Sequence, residues 1–288
     1  MNEVQQRFIW YIIERWNIHR RRQAGQKPPW TTDPVLAKYK FCNVRREDDR
    51  VTRWVADWLR SHADRPHLWF AAYVARTVNN PASLELAGWP VPWRPKKFIR
   101  VLRAKQARGE PVRSNAYCIS SWITKFGDLP LAMADRALTP AWEARNKIGH
   151  ETTCSEFYAA LRTLPNCGPF MAAQTVADVK WWPPLRSASD WATFAAPGYG
   201  SARGLNRYIG RPPKTPWQDA VWHQELLRVR KEVLPQLPTA LRKLDAQNVE
   251  HALCEFDKYE RAASGEKMPA TLFRQHDNYV KGNGLWQL

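Results

Sequence analysis

The chain has 288 residues, of which 44% are hydrophobic and 25% are charged, so its composition is that of a folded protein and not of a disordered one. Lys and Arg together number 44 against 27 Asp and Glu, which gives a formal charge of +17 and favours a polyanionic partner. No run of about 18 apolar residues is present, so we expect no membrane contact.

The cysteines and the first residues indicate the compartment. Five scattered cysteines without a Cys-x-x-Cys pair exclude a disulfide scaffold and indicate reduced thiols. The first 16 residues mix acidic and polar residues with apolar ones, which is not typical of a signal peptide. We therefore expect a cytosolic protein. The seven dispersed histidines lack metal-ligand spacing, so we expect no structural zinc site.

Apolar residues recur at helical spacing from the start of the chain. Phe8, Ile12 and Trp16 form a stripe that ends before a glycine, and Asp33 followed by Pro34 is typical of a helix N-cap with proline at the first helical position. The next strong amphipathic pattern covers residues 51–59.

Helical patterns continue to residue 263. Thr153 and Glu156 have the spacing of a capping box that opens a helix. The later predicted helices cover residues 67–78, 95–108, 115–126, 128–147, 154–163, 217–233 and 246–263. Alternating strand patterns are almost absent, so the predicted fold class is all-α. The longest irregular stretch, 181–216, contains four glycines, and a long loop in a compact domain is usually functional.

Residues 162–178 have the form of a helix-hairpin-helix motif, with LPNCGPFMA at its turn. A short glycine-containing turn leaves backbone N–H groups free at a helix N-terminus, where they can bind a DNA phosphate. We therefore predict that Asn166, Gly168 and Phe170 contact DNA. The alternative is an ordinary turn between two helices.

This hairpin resembles that of the helix-hairpin-helix DNA glycosylases. The resemblance implies one glycosylase-like helical domain over residues 1–288, with two helical subdomains around a central cleft. Phe170 stands where one class of these enzymes has its catalytic lysine, so a Schiff-base mechanism is not expected. Asp178 and Asp190 both follow the hairpin, and Asp190 is nearer the spacing of the family's catalytic aspartate.

A narrower resemblance covers more of the chain. Four blocks, at residues 28–54, 164–181, 197–207 and 248–262, resemble in order the phage α-glutamyl/putrescinyl-thymine pyrophosphorylases, which are amino acid:DNA transferases. That family is related to the helical domain of 5-hydroxymethyluracil DNA kinases. The sequence contains no G-x-x-x-x-G-K-S/T phosphate loop, so we do not expect the kinase activity itself.

The resemblance implies a reaction on a base already in double-stranded DNA. An upstream DNA kinase pyrophosphorylates 5-hydroxymethyluracil, and the transferase then displaces pyrophosphate with a free amino acid, glycine or similar, or with a polyamine. The charge of the leaving pyrophosphate requires arginines, and Mg²⁺ is the one cofactor that this chemistry suggests. The resemblance also implies that the protein acts in the cytoplasm of an infected bacterial host.

The block at residues 43–53 carries the residue types that this reaction needs. On a helix, Asn43, Arg46, Glu47 and Arg50 would lie on one face. The resemblance implies that Glu47 is the general base or orients the amine, that Arg46, Arg50 and Asn43 bind the substrate and its pyrophosphate, and that Asp49 is a further catalytic carboxylate. The charge pattern alone is equally typical of a solvated helix face.

The glycine-rich segment at residues 198–207 resembles an anion-binding nest. Glycines permit a close approach of the backbone to a phosphate, Ser201 supplies a hydroxyl, and Arg203 can make a bidentate phosphate contact. We predict that Ser201 and Arg203 bind pyrophosphate and that Arg207 contacts DNA. Most glycine-rich segments are only turns.

The last helical block places Glu250, Cys254, Asp257 and Lys258 on one side. The resemblance implies that Asp257 is catalytic and that Lys258 or its neighbour Glu255 binds the incoming amino acid. Ion pairs on a surface helix are the alternative. Among the histidines, His251 is the one candidate for a functional role, and an ordinary core or surface histidine is the favoured alternative.

Two other functions fit the same residues. A monofunctional DNA glycosylase would use Asp190 or Asp178 to assist loss of the base. A non-catalytic DNA-binding module would use the hairpin and the tryptophan-rich loops.

Overall fold

The computed structural model describes residues 1–114, 127–269 and 271–273. Within these residues the chain is helical, and the extended backbone pairs only at one isolated bridge between Tyr39 and Leu272. The predicted all-α class is therefore confirmed. The helix predicted at residues 115–126 lies outside the described residues. None of the helices in the described part is long and apolar enough to cross a membrane.

The chain forms two compact units. The first is made of Met1–Asp49 together with the chain from Ala195 onward, and the second is Arg50–Phe194. The helices of the first unit are α1 (Glu3–Gln23), α2 (Pro34–Lys38), α11 (Tyr199–Tyr208), α12 (Asp219–Val233) and α13 (Ala246–Ala263). Short 3₁₀ turns cover Arg46–Asp48, Leu234–Gln236 and Thr239–Leu241.

The second unit contains the remaining helices. They are α3 (Arg50–Arg60), α4 (Leu68–Val78), α5 (Pro81–Ala87), α6 (Pro95–Ala107), α7 (Leu129–Met133), α8 (Thr139–Glu143), α9 (Cys154–Arg162) and α10 (Pro169–Val179). A 3₁₀ turn at Leu185–Ser187 follows α10. Helix α5 is an element that the sequence analysis missed, although Asn80 caps it and a proline begins it.

The cores of the two units are built differently. In the first unit, α1 packs its apolar stripe on α11 and α13, with Phe8 in contact with Tyr208 (5.6 Å between ring centroids) and Phe256 (5.1 Å). In the second unit, α4 is buried almost throughout, including the guanidinium of Arg76. That charge is neutralised by the buried carboxylate of Asp178 on α10, at 2.6 Å from Arg76 Nη2 to Asp178 Oδ1.

The capping signals in the sequence are confirmed. The Asp33 side chain accepts a hydrogen bond from the backbone N–H of Leu36 at 2.7 Å, and the capping box of Thr153 and Glu156 is present at the start of α9. In both caps, a side chain accepts a hydrogen bond from a backbone N–H group of the first helical turn, which has no carbonyl partner within the helix. Local signals of this kind therefore place helix starts correctly.

The predicted helix at 128–147 is interrupted by a π-helical turn at Ala134–Leu138 and ends at Glu143. Pro140 has no N–H to donate to the carbonyl of Arg136, which lies four residues earlier. The side-chain amide of Asn166 donates to that carbonyl at 2.8 Å. The turn of the hairpin thus contacts the π-helical turn at a carbonyl to which Pro140 cannot donate a helical hydrogen bond.

Candidate active site

Helix α13 presents a row of polar side chains, beginning with Glu250, and the helix starts where Asp245 accepts a hydrogen bond from the backbone N–H of Asn248 at 2.8 Å. Its apolar face, which includes Leu253 and Phe256, is buried in the core of the first unit. The polar row consists of Glu250, His251, Cys254, Glu255 and Lys258. This helix is the scaffold of the candidate site.

The segment at residues 41–49 is held against α13 by its backbone. The N–H of Arg46 donates to the side chain of Asn248 at 2.9 Å, and the N–H of Cys42 donates to Glu255 at 2.8 Å. From α1, the buried guanidinium of Arg15 donates to the carbonyls of Phe41 and Cys42. Both sides of the segment are therefore fixed by hydrogen bonds.

Residues 43–53 do not form one helix, so the condition for a shared helical face is not met. Only Arg46–Asp48 forms a 3₁₀ turn, Asp49 is extended, and α3 begins at Arg50. The cause is local: the Asn43 side chain donates to the carbonyl of Asp48 at 2.9 Å, which competes with helical hydrogen bonding. Asn43, Arg46, Glu47 and Arg50 consequently do not share a helical face.

The predicted glycine-rich nest is also wrong. Residues Tyr199–Tyr208 form helix α11, so the irregular stretch predicted at 181–216 contains a helix. Its glycines allow close packing on α13: a Cβ atom at Gly204 would lie 2.1 Å from the carbonyl oxygen of Leu253, and one at Gly200 would lie 2.4 Å from the Sγ of Cys254. The glycines serve contact between helices, and not contact with an anion.

The carboxyl of Glu250 lies where α11 and the 41–49 segment meet α13. A Cβ atom at Gly198 would lie 3.3 Å from Glu250 Oε1, which places this oxygen at the first turn of α11. Burial raises the pKa of Glu250 to about 7, against the opposing effects of a hydrogen bond from the Ser201 side chain and the charge of Arg46. The site therefore contains a carboxyl group that titrates near neutrality.

The neighbouring Glu255 behaves differently. Burial alone would raise its pKa, but the charges of Lys258 and His251 and the N–H of Cys42 lower it. Lys258 Nζ lies 2.6 Å from Glu255 Oε2. Burial lowers the pKa of His251. One carboxylate of the row is thus held ionised by a lysine, whereas Glu250 gains a proton near pH 7.

Two further carboxylates predicted for the site lie on the 41–49 segment. Burial raises the pKa of Glu47, and the charge of Asp245 adds to this effect. Asp49 is exposed, and its charge acts to raise the pKa of His251, against the larger effect of burial. Their catalytic roles stay predictions.

The thiol of Cys254 is a poor nucleophile. It is partly buried, and burial raises its pKa well above its ordinary value. A thiol reacts as its thiolate, so Cys254 is protonated at neutral pH. Cys42, by contrast, is exposed.

Three arginines surround the fully buried carboxylate of Asp257. Arg203 Nε lies 3.0 Å from Asp257 Oδ2, Arg207 Nε lies 2.8 Å from Oδ1, and Arg261 Nε lies 3.0 Å from Oδ2. Asp257 therefore has a structural role in joining α11 to α13, and its predicted catalytic role has no support in this geometry. Lys258 is on the same helix and pairs with Glu255 instead.

The predicted hairpin of the second unit is formed by α9, α10 and the turn between them. Asn166 adopts a left-handed conformation with φ of 63°, Gly168 is the N-cap of α10, and Phe170 is 47% exposed. Arg162 donates to the carbonyl of Cys167 at 2.8 Å, which closes the turn. The helix–turn–helix geometry is present, and its contact with DNA stays a prediction.

Asp190 and Asp178 are both engaged within the second unit. Asp190 accepts hydrogen bonds from the backbone N–H groups of Cys154 and Ser155, each at 2.8 Å, and from the Ser155 hydroxyl. Burial would raise the pKa of Asp190, but these hydrogen bonds lower it. Asp190 thus caps α9, and Asp178 neutralises Arg76. Their proposed roles in base removal stay predictions.

The remaining predicted residue, Arg50, begins α3 and is exposed in the second unit. In the part of the chain that the structure describes, no three His, Cys, Asp or Glu side chains are grouped as a metal site. A requirement for Mg²⁺ stays a prediction.

The helical spacing predicts the position of Glu250 but no role for it, and the sequence predicts no role for Asn248 or Arg15. The available signal was the spacing of Glu250, Cys254 and Lys258 by one helical turn each, which predicts a shared face. Nothing in the sequence shows that residues 41–49 pack on that face.

The fold and site together define an all-helical protein with a partly buried, strongly ionic site. The family model described as "5-hmdU DNA kinase, helical domain" matches residues 2–268. The chain therefore belongs to this family. A 5-hmdU DNA kinase of Bacillus phage SP10 is 33% identical over 138 residues, which cover 44% of this chain and 20% of that relative. No solved structure matches the chain.

Proposed function

We propose that the chain acts in thymine hypermodification of phage DNA, as a transferase that replaces the pyrophosphate of 5-pyrophosphoryloxymethyl-uracil with an amino acid or amine. Membership of the 5-hmdU DNA kinase helical-domain family and the name of the phage relative support a role on 5-hydroxymethyluracil DNA. The formal charge of +17 favours a DNA substrate.

The observation that carries this proposal is the pKa of Glu250, which burial raises to about 7. The nitrogen of the amine attacks the methylene carbon attached to C5 of the base, the bond from that carbon to the pyrophosphate oxygen breaks, and pyrophosphate leaves with the electron pair. The attacking nitrogen then loses a proton to Glu250. A general base is most effective when its pKa is near the working pH, and Glu250 meets this condition.

The leaving group requires positive charge. In this proposal Arg46, whose charge acts on Glu250, and Lys258, which lies 26% exposed beside Glu255, stabilise the pyrophosphate. Ser201 on α11 orients the Glu250 carboxyl. Glu47 is the second candidate for the base, because burial raises its pKa also.

The test is a reaction of the full chain with duplex DNA that carries pyrophosphorylated 5-hydroxymethyluracil, with a panel of amino acids and polyamines. The DNA is then digested and its nucleosides are identified by mass. We expect an adduct with at least one amine and an equal amount of free pyrophosphate. Pyrophosphate without an adduct, or no reaction with any amine, would contradict the proposal. Abasic sites would instead indicate a glycosylase.

Substitution of the two candidate carboxylates identifies the general base. Glu250→Gln keeps the shape of the side chain but cannot accept the proton, so we expect turnover to fall by roughly 10²-fold or more while DNA binding is retained. Glu3→Gln is the matched control because its side chain is 93% exposed. If Glu47→Gln lowers turnover and Glu250→Gln does not, Glu47 is the base.

A further inference from the structure

Arg203 and Arg207 lie one turn apart on α11, and Asp257 holds both guanidiniums by their Nε atoms. The distances are 3.0 Å from Arg203 Nε to Asp257 Oδ2 and 2.8 Å from Arg207 Nε to Asp257 Oδ1. The carboxylate of Asp257 is fully buried. Both guanidiniums are thus fixed before any ligand arrives, and each has an Nη edge left for another partner.

Glu266 occupies those two edges. Arg203 Nη2 donates to Glu266 Oε1 at 2.9 Å, and Arg207 Nη2 donates to Glu266 Oε2 at 2.7 Å. The Glu266 side chain is 45% exposed, whereas the Arg203 and Arg207 side chains are 6% and 16% exposed. A solvent-accessible carboxylate therefore covers two arginines that the fold has already positioned.

The charges around Asp257 are unequal. Arg203, Arg207 and Arg261 supply three positive charges, and Asp257 supplies one negative charge from the interior. Glu266 lowers the excess to a single positive charge. Without Glu266 the site would carry an excess of two positive charges at the surface of α11, which favours binding of a phosphate anion.

A carboxylate that gives one oxygen to each of two guanidiniums has the geometry of a phosphate that does the same. Ion pairs to an exposed carboxylate contribute little to stability, so a phosphate can displace Glu266 at low cost. We propose that Arg203 and Arg207 form a phosphate-binding site that Glu266 occupies until a phosphate replaces it. This site does not depend on the proposed amine transfer, because it requires only that a phosphate reach α11.

The phosphate could belong to pyrophosphate or to the DNA backbone, and calorimetry with the full chain separates these sources. Binding of inorganic pyrophosphate and of unmodified duplex DNA is measured for the wild-type chain and for Glu266→Gln. Removal of the competing carboxylate should tighten binding of whichever ligand supplies the phosphate, pyrophosphate or DNA, by about fivefold. This is the factor expected for loss of an exposed ion pair. A gain with pyrophosphate alone identifies free pyrophosphate, and a gain with DNA alone identifies the backbone.

Two variants serve as controls. Glu260→Gln also removes one carboxylate, six positions earlier in the chain, but Glu260 pairs with Arg7, so this change should leave both affinities as they are in the wild-type chain. Arg207→Gln should weaken binding in the wild-type chain and abolish the gain in Glu266→Gln. If Glu266→Gln changes neither affinity, or if Glu260→Gln produces an equal gain, the proposal is overturned.

Discussion

The carboxyl of Glu250 titrates near neutrality because the protein removes it from water more effectively than Ser201 and Arg46 stabilise its charge. The raised pKa affects both the stability of the fold and the chemistry of the carboxyl group. Ionisation of this side chain at pH 8 lowers the stability of the fold, and the same property prepares the group to accept a proton.

The first prediction concerns this loss of stability. Between pH 4.5 and about 7 the folded state keeps a proton on Glu250 that the unfolded state has lost, so the stability contribution falls as pH rises through this window. Urea unfolding at pH 5 and pH 8 should show a decrease for the wild-type chain that is larger than for Glu250→Gln, by on the order of 1–2 kcal/mol.

Glu3→Gln provides the control, because its exposed side chain should leave the pH dependence as in the wild-type chain. An identical pH dependence in the wild-type chain and Glu250→Gln would show that Glu250 has an ordinary pKa in the folded state. The proposed role as a base near pH 7 would then lose its support.

The sequence could not predict this property of Glu250. Its position on a helix follows from local spacing, but its pKa depends first on burial and then on the opposing effects of Ser201 and Arg46, which are distant in the sequence. Local patterns carry no information on which distant segments exclude water from a carboxyl group.

The close contact between helices α11 and α13 depends on glycines, which have no side chain to separate the two backbones. Gly204 allows the backbone of α11 to approach the carbonyl of Leu253 on α13. Glycine weakens a helix relative to alanine, and close packing compensates for this loss.

The second prediction tests this contact. Gly204→Ala should lower the free energy of unfolding by about 1–3 kcal/mol, because the added Cβ meets backbone atoms that cannot move aside. This loss should exceed the gain in helix propensity of about 1 kcal/mol. Urea denaturation measures the difference.

Gly168→Ala is the comparison variant. Its Cβ would have nothing within 4 Å, and its φ of −67° suits any residue, so we expect little change in stability. If Gly204→Ala is as stable as the wild-type chain, the two helices have room to separate, and the packing interpretation is wrong.

At the scale of a single helix, the sequence predicts the features that depend on neighbouring residues. The caps at Asp33 and Thr153 are confirmed because their hydrogen bonds join residues three positions apart. The interpretation of the glycines at residues 198–207 as a nest fails because glycine is compatible with both a nest and a tight helix contact. Only the partner helix distinguishes these two uses.

The net positive charge of the molecule favours binding to DNA through its phosphates. A formal charge of +17 predicts that phosphate contacts supply much of the DNA affinity. Affinity that arises in this way falls steeply with salt, because binding releases counterions from the DNA.

The third prediction follows from that charge. The association constant for unmodified duplex DNA, measured by fluorescence anisotropy, should fall by roughly 10³-fold between 50 and 200 mM salt if about six phosphates are contacted. Sucrose at matched osmolarity should leave binding nearly unchanged. Binding that is insensitive to salt would contradict an electrostatic interface with DNA.

The all-α class follows from the sequence, since helical periodicity is continuous and strand alternation is almost absent. The division into two units does not follow, because no change of composition marks Asp49 or Ala195. Units are defined by contacts between distant residues, as between Phe8 and Phe256.

The chain order of the two units has a consequence for synthesis on the ribosome. Arg50–Phe194 is continuous, so it can fold as soon as it has emerged. Helix α1 must wait for Tyr208 and Phe256 to be translated before Phe8 can be covered. Its apolar stripe therefore remains accessible to chaperones while the chain between α1 and α13 is translated, although α1 precedes the second unit in the sequence.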